Sequence, residues 1–146
     1  MADTYTTPSF DSVNVGDAIP AQSFPVQRFN LVQYCGASGD FNIIHWNERI
    51  AQAVGLPNVI AHGLFTMAEA GRAVTDYVGD PGRVVSYEVR FTSPVVVPDD
   101  DKGALVEVSG EIVERDEATR TVTINLTATS DGAEVLGNAQ ARVRLA

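Results

Sequence analysis

A carboxylate and an imidazole stand five residues apart in a polar segment of this 146-residue chain. The segment reads SGDFNIIH from Ser38, so Asp40 and His45 lie on either side of Asn42. An aspartate and a histidine that converge can hold one water molecule between them and transfer one proton, since imidazole titrates near neutral pH. These groups are the least that is needed to add water to a double bond or to remove it.

A second histidine, His62, comes directly before Gly63, where an apolar helix is predicted to start. The first N–H groups of a helix lack intrahelical acceptors and carry a partial positive charge, so they can bind a developing oxyanion. Gly63 is the candidate for this role because it has no side chain to block the approach. The alternative is a glycine that serves helix–sheet packing. We expect His62 to hydrogen-bond a backbone carbonyl and fix the loop.

The hydrophobic pattern predicts which elements position these residues. A helix over residues 62–78 has apolar residues near the 3.6-residue period, and Gly79 ends it. After it, four segments rich in β-branched residues alternate between apolar and polar side chains, as strands do. In the third of them, the alternate residues from Val122 to Ala128 are apolar and share one face. The four predicted strands cover residues 84–92, 105–113, 121–129 and 135–145.

The elements predicted before this helix are short. They are a strand over residues 23–29, a helix from an N-capping Asn30 through Cys35, a loop over residues 36–46 and a helix over residues 47–54. This order indicates an α+β fold, in which one antiparallel sheet curls around one helix. The length of 146 residues and the lack of internal repeats predict a single domain.

Composition and charge argue against several classes of function. The net charge is −9 and the ten basic residues are spread along the chain, so no nucleic-acid-binding surface is predicted. No apolar run is long enough for a membrane span. The first eight residues lack the basic start and apolar stretch of a signal peptide, so we expect a cytoplasmic protein.

The cysteine count also limits the chemistry. Cys35 is the only cysteine, which excludes an internal disulfide, and we expect it to be a small buried hydrophobic residue rather than a reactive thiol. The spacing of cysteines and histidines matches no metal-ligand pattern. No metal site is therefore predicted.

The segment from Tyr34 to His45 resembles the hydratase motif of the MaoC-like, (R)-specific enoyl-thioester hydratases, which runs Ser-Gly-Asp-x-Asn-Pro-Ile/Leu-His. Residues 60–67, IAHGLFTM, look like that family's entry into its central helix. Within the family, the chain most resembles the catalytic beta subunits of mycobacterial-type (3R)-hydroxyacyl-carrier-protein dehydratases. This closer resemblance lies in residues 38–46, 54–56, 78–82 and 89–92. One departure is Ile43, which stands where the motif has a proline that would stiffen the turn.

The resemblance implies a single hotdog domain over residues 1–146, with an antiparallel sheet wrapped around a central helix and a further segment overhanging that helix. It implies syn removal of water from a (3R)-hydroxyacyl thioester, or the reverse, with Asp40 and His45 sharing the proton transfers through one water. Asn42 would orient the loop or the carboxylate. No cofactor is implied, because the substrate is carried as a thioester of coenzyme A or of an acyl carrier protein.

An acyl chain needs an apolar channel, and several apolar residues close to the motif in sequence could line it. Each of them could equally be an ordinary core residue. The candidates are Phe41, Ile44, Trp46, Leu64, Phe65 and Met67.

The resemblance also implies a dimer, either of identical chains or with a related hotdog subunit, and an acyl carrier protein is a further candidate partner. Two other functions stay open at this point. One is a non-catalytic subunit that binds acyl thioesters, which a missing Asp or His would have marked. The other is a hotdog thioesterase, whose base would activate water at the carbonyl carbon.

Overall fold

The structure is a computed structural model and describes residues 7–146. Residues 1–6, on which the prediction of no signal peptide chiefly falls, lie outside the described part. One strand comes first, three helices follow, and four strands complete the chain. The strands are β1 Ala18–Val26, β2 Val84–Phe91, β3 Ala104–Asp116, β4 Thr121–Ser130 and β5 Ala133–Arg144. The helices are α1 Arg28–Ser38, α2 Glu48–Ala53 and α3 Gly63–Val78, and short 3-10 helices cover Phe10–Ser12, Ile43–His45 and Pro81–Arg83.

The five strands form one antiparallel sheet in the order β1-β3-β4-β5-β2. The sheet wraps around α3, which contacts β1, β3, β5 and β2. On β4, the alternate residues from Val122 to Ala128 are buried, as the pattern predicted. The predicted α+β hotdog fold, with one antiparallel sheet around a central helix, is confirmed, and α1 and α2 are the further segment between β1 and that helix.

The long helix α3 has the predicted extent. Its first residue follows His62, and Gly79 ends it in the left-handed conformation with φ of 71°. A Cβ at Gly71 would lie 3.1 Å from the ring of Tyr87, so the glycine lets β2 approach the helix closely. The Tyr87 hydroxyl donates to the carbonyl of Met67 at 2.9 Å, and burial raises the pKa of Tyr87 to about 12. This tyrosine therefore stays protonated and ties β2 to α3.

The prediction for the first strand was wrong in its position. Residues 23–29 were expected, but β1 starts at Ala18 and ends at Val26. Pro20 and Pro25 resemble strand breakers, yet β1 is an edge strand, where a missing N–H costs little. The pairing with β3 also shifts register between Ile19 and Gln22, next to Pro20.

The prediction for the start of α1 was wrong as well. Gln27 is the N-cap, and Asn30 is the third helical residue. The two residues form a capping box, in which the Asn30 side chain accepts from the Gln27 N–H at 2.8 Å. The helix also continues beyond Cys35 to Ser38, so the first residues of the predicted loop are helical.

The turn between β4 and β5 has only two residues, Asp131 and Gly132, with φ of 50° and 74°. Two successive positive φ values are typical of the type I′ turn, which matches the twist of paired strands.

No helix within residues 7–146 is long and apolar enough to cross a membrane.

Candidate active site

Two small turns fold the segment that carries Asp40 and His45. Gly39 ends α1 with φ of 77°. One carboxylate oxygen of Asp40 accepts from the N–H of Asn42 at 3.1 Å, and the Asn42 side chain accepts from the N–H of Ile44 at 3.4 Å. Side chains of this kind compete with the regular helix ladder and form tight turns. Asn42 thus begins the 3-10 helix that ends at His45 and also orients the carboxylate through its backbone.

The orientation of His45 is set by one strong hydrogen bond. Its Nδ1 lies 2.7 Å from the carbonyl oxygen of Ile60. A carbonyl oxygen can only accept, so Nδ1 carries the proton and Nε2 holds the free lone pair. Within residues 7–146, Nε2 of His45 has no hydrogen-bond partner. The neutral imidazole is therefore ready to accept a proton at Nε2.

The surroundings of His45 favour its neutral form. The side chain is 7% exposed, and burial lowers the pKa of His45 from its ordinary value. The neighbouring His62 lowers this pKa further, while the Ile60 carbonyl and the Asp40 carboxylate act in the opposite direction without reversing the shift. His45 is thus suited to act as a base at neutral pH.

The functional groups of Asp40, His45 and His62 converge. A carboxylate oxygen and one ring nitrogen of each histidine all lie within 4.8 Å of one another. One water molecule can span such a distance with two hydrogen bonds of about 2.8 Å. The pair of residues predicted from the motif therefore lies at a separation that suits a shared water.

The same three groups are a candidate set of metal ligands, but their arrangement suits a metal poorly. The rings of His45 and His62 stack at 3.7 Å with an interplanar angle of 24°. Their lone pairs lie in nearly parallel planes, whereas a metal needs both nitrogens aimed at one point about 2 Å away. The absence of a metal stays a prediction.

His62 is placed as the loop-fixing role requires. The side chain is 2% exposed, and its Nε2 lies 3.0 Å from the carbonyl oxygen of Asp40, which makes Nε2 the donor. The thiol of Cys35 lies 3.7 Å from the same nitrogen. Cys35 is buried, as predicted, and burial raises the pKa of its thiol, so the group stays protonated.

A cavity of about 340 Å³ opens beside these residues. His45 and Gly63 are the two sequence-predicted site residues that line it, and Gly63 is the first residue of α3. A Cβ at Gly63 would lie 3.1 Å from the ring of Phe91, so the packing alternative for this glycine also has a structural basis. The remaining lining residues are Ile60, Ala61, Thr66, Phe91, Thr92, Ser93, Pro94, Val95 and Val135.

The six acyl-channel candidates lie elsewhere in the described chain. Phe41, Trp46 and Leu64 are exposed. Phe65 packs edge-on against Tyr34, with ring centroids 5.5 Å apart. Ile44 and Met67 are half-buried. None of the six lines this cavity, and their role in an acyl channel stays a prediction.

Sequence reasoning missed several residues that line this cavity. Thr66 had a usable signal, since a hydroxyl in the first turn of an apolar helix lies near the helix N-terminus; its Oγ1 donates to the His62 carbonyl at 3.3 Å. Phe91 is the last residue of β2, Thr92 to Val95 follow that strand, and Val135 lies on β5. Strand pairing brings these residues to the cavity, and no local sequence pattern predicts that pairing.

The chain is similar to known proteins in sequence and in fold. A family model described as the MaoC-like domain matches residues 12–130. The 3-hydroxyacyl-thioester dehydratase X of Mycobacterium tuberculosis is 37% identical over 79 residues, which are 54% of this chain and 27% of that protein. The 3-hydroxybutyryl-CoA dehydratase of Methylorubrum extorquens is 30% identical over 121 residues, which are 82% of this chain and 73% of that protein.

A solved structure of a MaoC-like dehydratase superposes with a TM-score of 0.92 at 43% sequence identity. The match covers 96% of this chain but 43% of the other. The chain thus spans about a quarter of the M. tuberculosis relative and less than half of this solved chain.

Proposed function

This chain belongs to the MaoC-like domain family, and we propose that it interconverts (3R)-hydroxyacyl thioesters and trans-2-enoyl thioesters by removing or adding water. The observation that carries the proposal is the convergence of the Asp40 carboxylate and the His45 imidazole within 4.8 Å. The names of the relatives, which are dehydratases of 3-hydroxyacyl thioesters, support the same reaction class. Coenzyme A or an acyl carrier protein would carry the acyl group, and the reaction needs no other cofactor.

In the hydration direction, a water molecule lies between the Asp40 carboxylate and Nε2 of His45. Nε2 accepts one proton from this water while the water oxygen bonds to C3 of the enoyl thioester. The electron pair of the double bond moves toward the thioester oxygen, which forms an enolate. The Asp40–His45 pair then returns one proton to C2, and both residues regain their starting states.

The backbone N–H of Gly63 stabilises the enolate oxygen in this scheme. Gly63 opens α3, so its N–H has no intrahelical acceptor, and it lines the cavity next to His45. The partial positive charge of the helix N-terminus adds to this stabilisation. Because the water and the returning proton come from one side of the substrate, addition is syn.

The proposal is tested with purified protein and a medium-chain trans-2-enoyl-CoA. Loss of the conjugated double bond is followed by absorbance, and the chirality of the product is then determined. Formation of the (R)-3-hydroxyacyl-CoA is expected. An (S) product would contradict the proposal. Release of free coenzyme A with an intact double bond would instead favour the thioesterase.

Substitutions separate the roles of the two groups. Asp40→Asn and His45→Gln should each lower kcat about a hundredfold or more, because each removes one of the two groups that exchange protons with the water. Asp101→Asn, a change in an exposed loop carboxylate, is the matched control and should leave kcat unchanged. Circular dichroism checks that each variant is folded. Native turnover in either site variant would contradict the role given to that residue.

A dimer fits the proposed activity. The edge strand β2 leads into the cavity residues, and Val85 and Phe91 on it are exposed. A second hotdog subunit paired along this edge would cover these side chains and extend the acyl site. The partner is either a second copy of this chain or a related subunit, and an acyl carrier protein is the proposed substrate-carrying partner.

A further inference from the structure

We propose that His62 is a positioning residue that sets the distance between the two catalytic groups. The edge of the His62 ring holds the Asp40 backbone, and the face of the same ring holds the His45 ring. The inference rests on the proposed hydratase and dehydratase activity, which assigns those groups their roles. It gives a buried histidine a function beyond fixing a loop.

The edge contact is a hydrogen bond with a defined direction. Nε2 of His62 donates to the carbonyl oxygen of Asp40 at 3.0 Å. Asp40 itself is exposed and follows the end of α1, so its own segment buries little that would fix it. This bond therefore ties the backbone of the carboxylate residue to the residue that caps α3.

The face contact is a ring stack. The His45 and His62 ring centroids are 3.7 Å apart. The ring centroids of Tyr34 and His62 are 4.7 Å apart, so His62 contacts an aromatic ring of α1 as well as the catalytic imidazole. A ring fixed by this second aromatic contact can transmit its position to His45.

The remaining nitrogen of His62 takes no part in a hydrogen bond. Nδ1 is buried and has no hydrogen-bond partner within residues 7–146. A buried polar atom without a partner destabilises the fold. The described titratable groups against the two rings are Cys35, Tyr34 and Asp40, together with each ring for the other. None of these forms a hydrogen bond with Nδ1, so the Nε2 bond and the ring contacts set the orientation of the ring.

Two substitutions divide the two contacts. His62→Phe keeps an aromatic face and loses the donor, while His62→Gln keeps an amide donor near the Nε2 position and loses the ring. Without the hydrogen bond from His62, the Asp40 backbone is no longer fixed in position. His62→Phe should therefore lower kcat about tenfold or more with KM little changed. His62→Gln should retain more of kcat than His62→Phe does. It should also shift the acid limb of the kcat/KM pH profile to higher pH, because His45 loses the stacked neighbour that lowers its pKa.

A double mutant distinguishes positioning from general destabilisation. In an Asp40→Asn background, His62→Phe should cause only a small further loss of kcat, since the carboxylate that it positions is already gone. The same fold-loss in both backgrounds would overturn the proposal. Wild-type kcat in folded His62→Phe would overturn it as well.

A readout without turnover keeps this inference separate from the proposed function. The chain has two histidines, so His62→Gln leaves the ring signals of His45 alone in a histidine NMR spectrum. A changed pH titration of His45 in this variant is expected whether or not the wild type hydrates enoyl thioesters. An unchanged His45 titration would overturn the stacking role, whereas a wild type without hydratase activity would overturn only the proposed function.

Discussion

The side chains that carry the proposed chemistry also shape the backbone between them. Asp40 accepts from the N–H of Asn42, and Asn42 accepts from the N–H of Ile44. These two turns bring Asp40 and His45 from five residues apart in sequence to within 4.8 Å in space. The pair was predictable from sequence because its geometry is local. The contact of His45 with the Ile60 carbonyl was not, since it joins two loops.

The burial of His45 predicts how activity depends on pH. Burial lowers the pKa of His45 from the ordinary 6.5. The base is the neutral imidazole, so kcat/KM should stay high at pH 6.5 and fall only as the pH passes the lower value of the folded protein. A kcat/KM profile between pH 5 and 8 measures this limb, and a limb above 6.5 would contradict the prediction.

The free energy of unfolding should also fall as the pH is lowered. Below about pH 6.5 the unfolded chain protonates this histidine before the folded chain does, so acid favours unfolding until the pH passes the folded pKa. Urea unfolding of the wild type and of His45→Gln, compared at pH 7.5 and pH 5, isolates this contribution. The stability of the wild type should fall more on acidification.

At the scale of elements, predictions succeeded where a pattern was periodic and its ends were marked. The helix α3 has a regular apolar face and Gly79 at its end, and β4 alternates strictly. The prediction of where α1 starts failed because the capping box depends on a reciprocal pair, Gln27 and Asn30, neither of which is distinctive alone. The position of β1 failed because its prolines are tolerated only at a sheet edge, and edges are a property of the whole sheet.

The short 3-10 helix after Asn42 predicts that proline is acceptable at Ile43. Asn42 has φ of −54° and ψ of 126°, which suit a residue before proline. Ile43 is the first residue of this helix, where proline is favoured. Ile43→Pro should therefore leave the melting temperature within about 2 °C and keep or raise kcat.

The matched control is Ile44→Pro at the next position. The N–H of Ile44 donates to the Asn42 side chain, so proline there removes the bond that opens the 3-10 helix. We expect that variant to lose most of its kcat. Loss of activity in Ile43→Pro to the same degree would mean that the loop needs the Ile43 N–H.

At the scale of the whole molecule, the two edges of the sheet differ. The edge strand β1 carries Pro20 and Pro25, which discourage pairing with another strand. The other edge strand, β2, contains no proline and exposes Val85 and Phe91. The open edge is also the one that leads into the cavity, so subunit pairing and substrate binding would meet there.

A charge on this edge should separate the proposed dimer. Val85, which is 51% exposed, would lie in the interface, so Val85→Lys should shift the sedimentation coefficient from dimer to monomer. Hydration activity should fall with it, by about tenfold or more if the partner completes the site. The control is Val15→Lys, at a residue that is 59% exposed in the segment before β1. A Val85→Lys variant that remains dimeric would contradict pairing along β2.

The cavity itself shows what the sequence alone could not predict. Its lining combines Ile60 and Thr66 with residues after β2 and with Val135 on β5. These segments are far apart in the chain and meet only because β5 pairs with β2 while both pack around α3. The apolar residues beside the motif were reasonable candidates by proximity in sequence, but the folded chain brings other residues to His45.

The two-residue turn between β4 and β5 has a consequence for the order of folding. This pairing joins neighbouring segments, whereas β1 pairs with β3 across α1, α2 and α3, so the hairpin can nucleate first at little entropic cost. A Cβ at Gly132 would meet nothing within 4 Å, so Gly132→Ala disturbs only a backbone with φ of 74°. In stopped-flow refolding, this variant should fold several-fold more slowly with little change in its unfolding rate. Slower refolding of this kind would make the hairpin the nucleus around which the sheet closes on α3, and an unchanged refolding rate would exclude it.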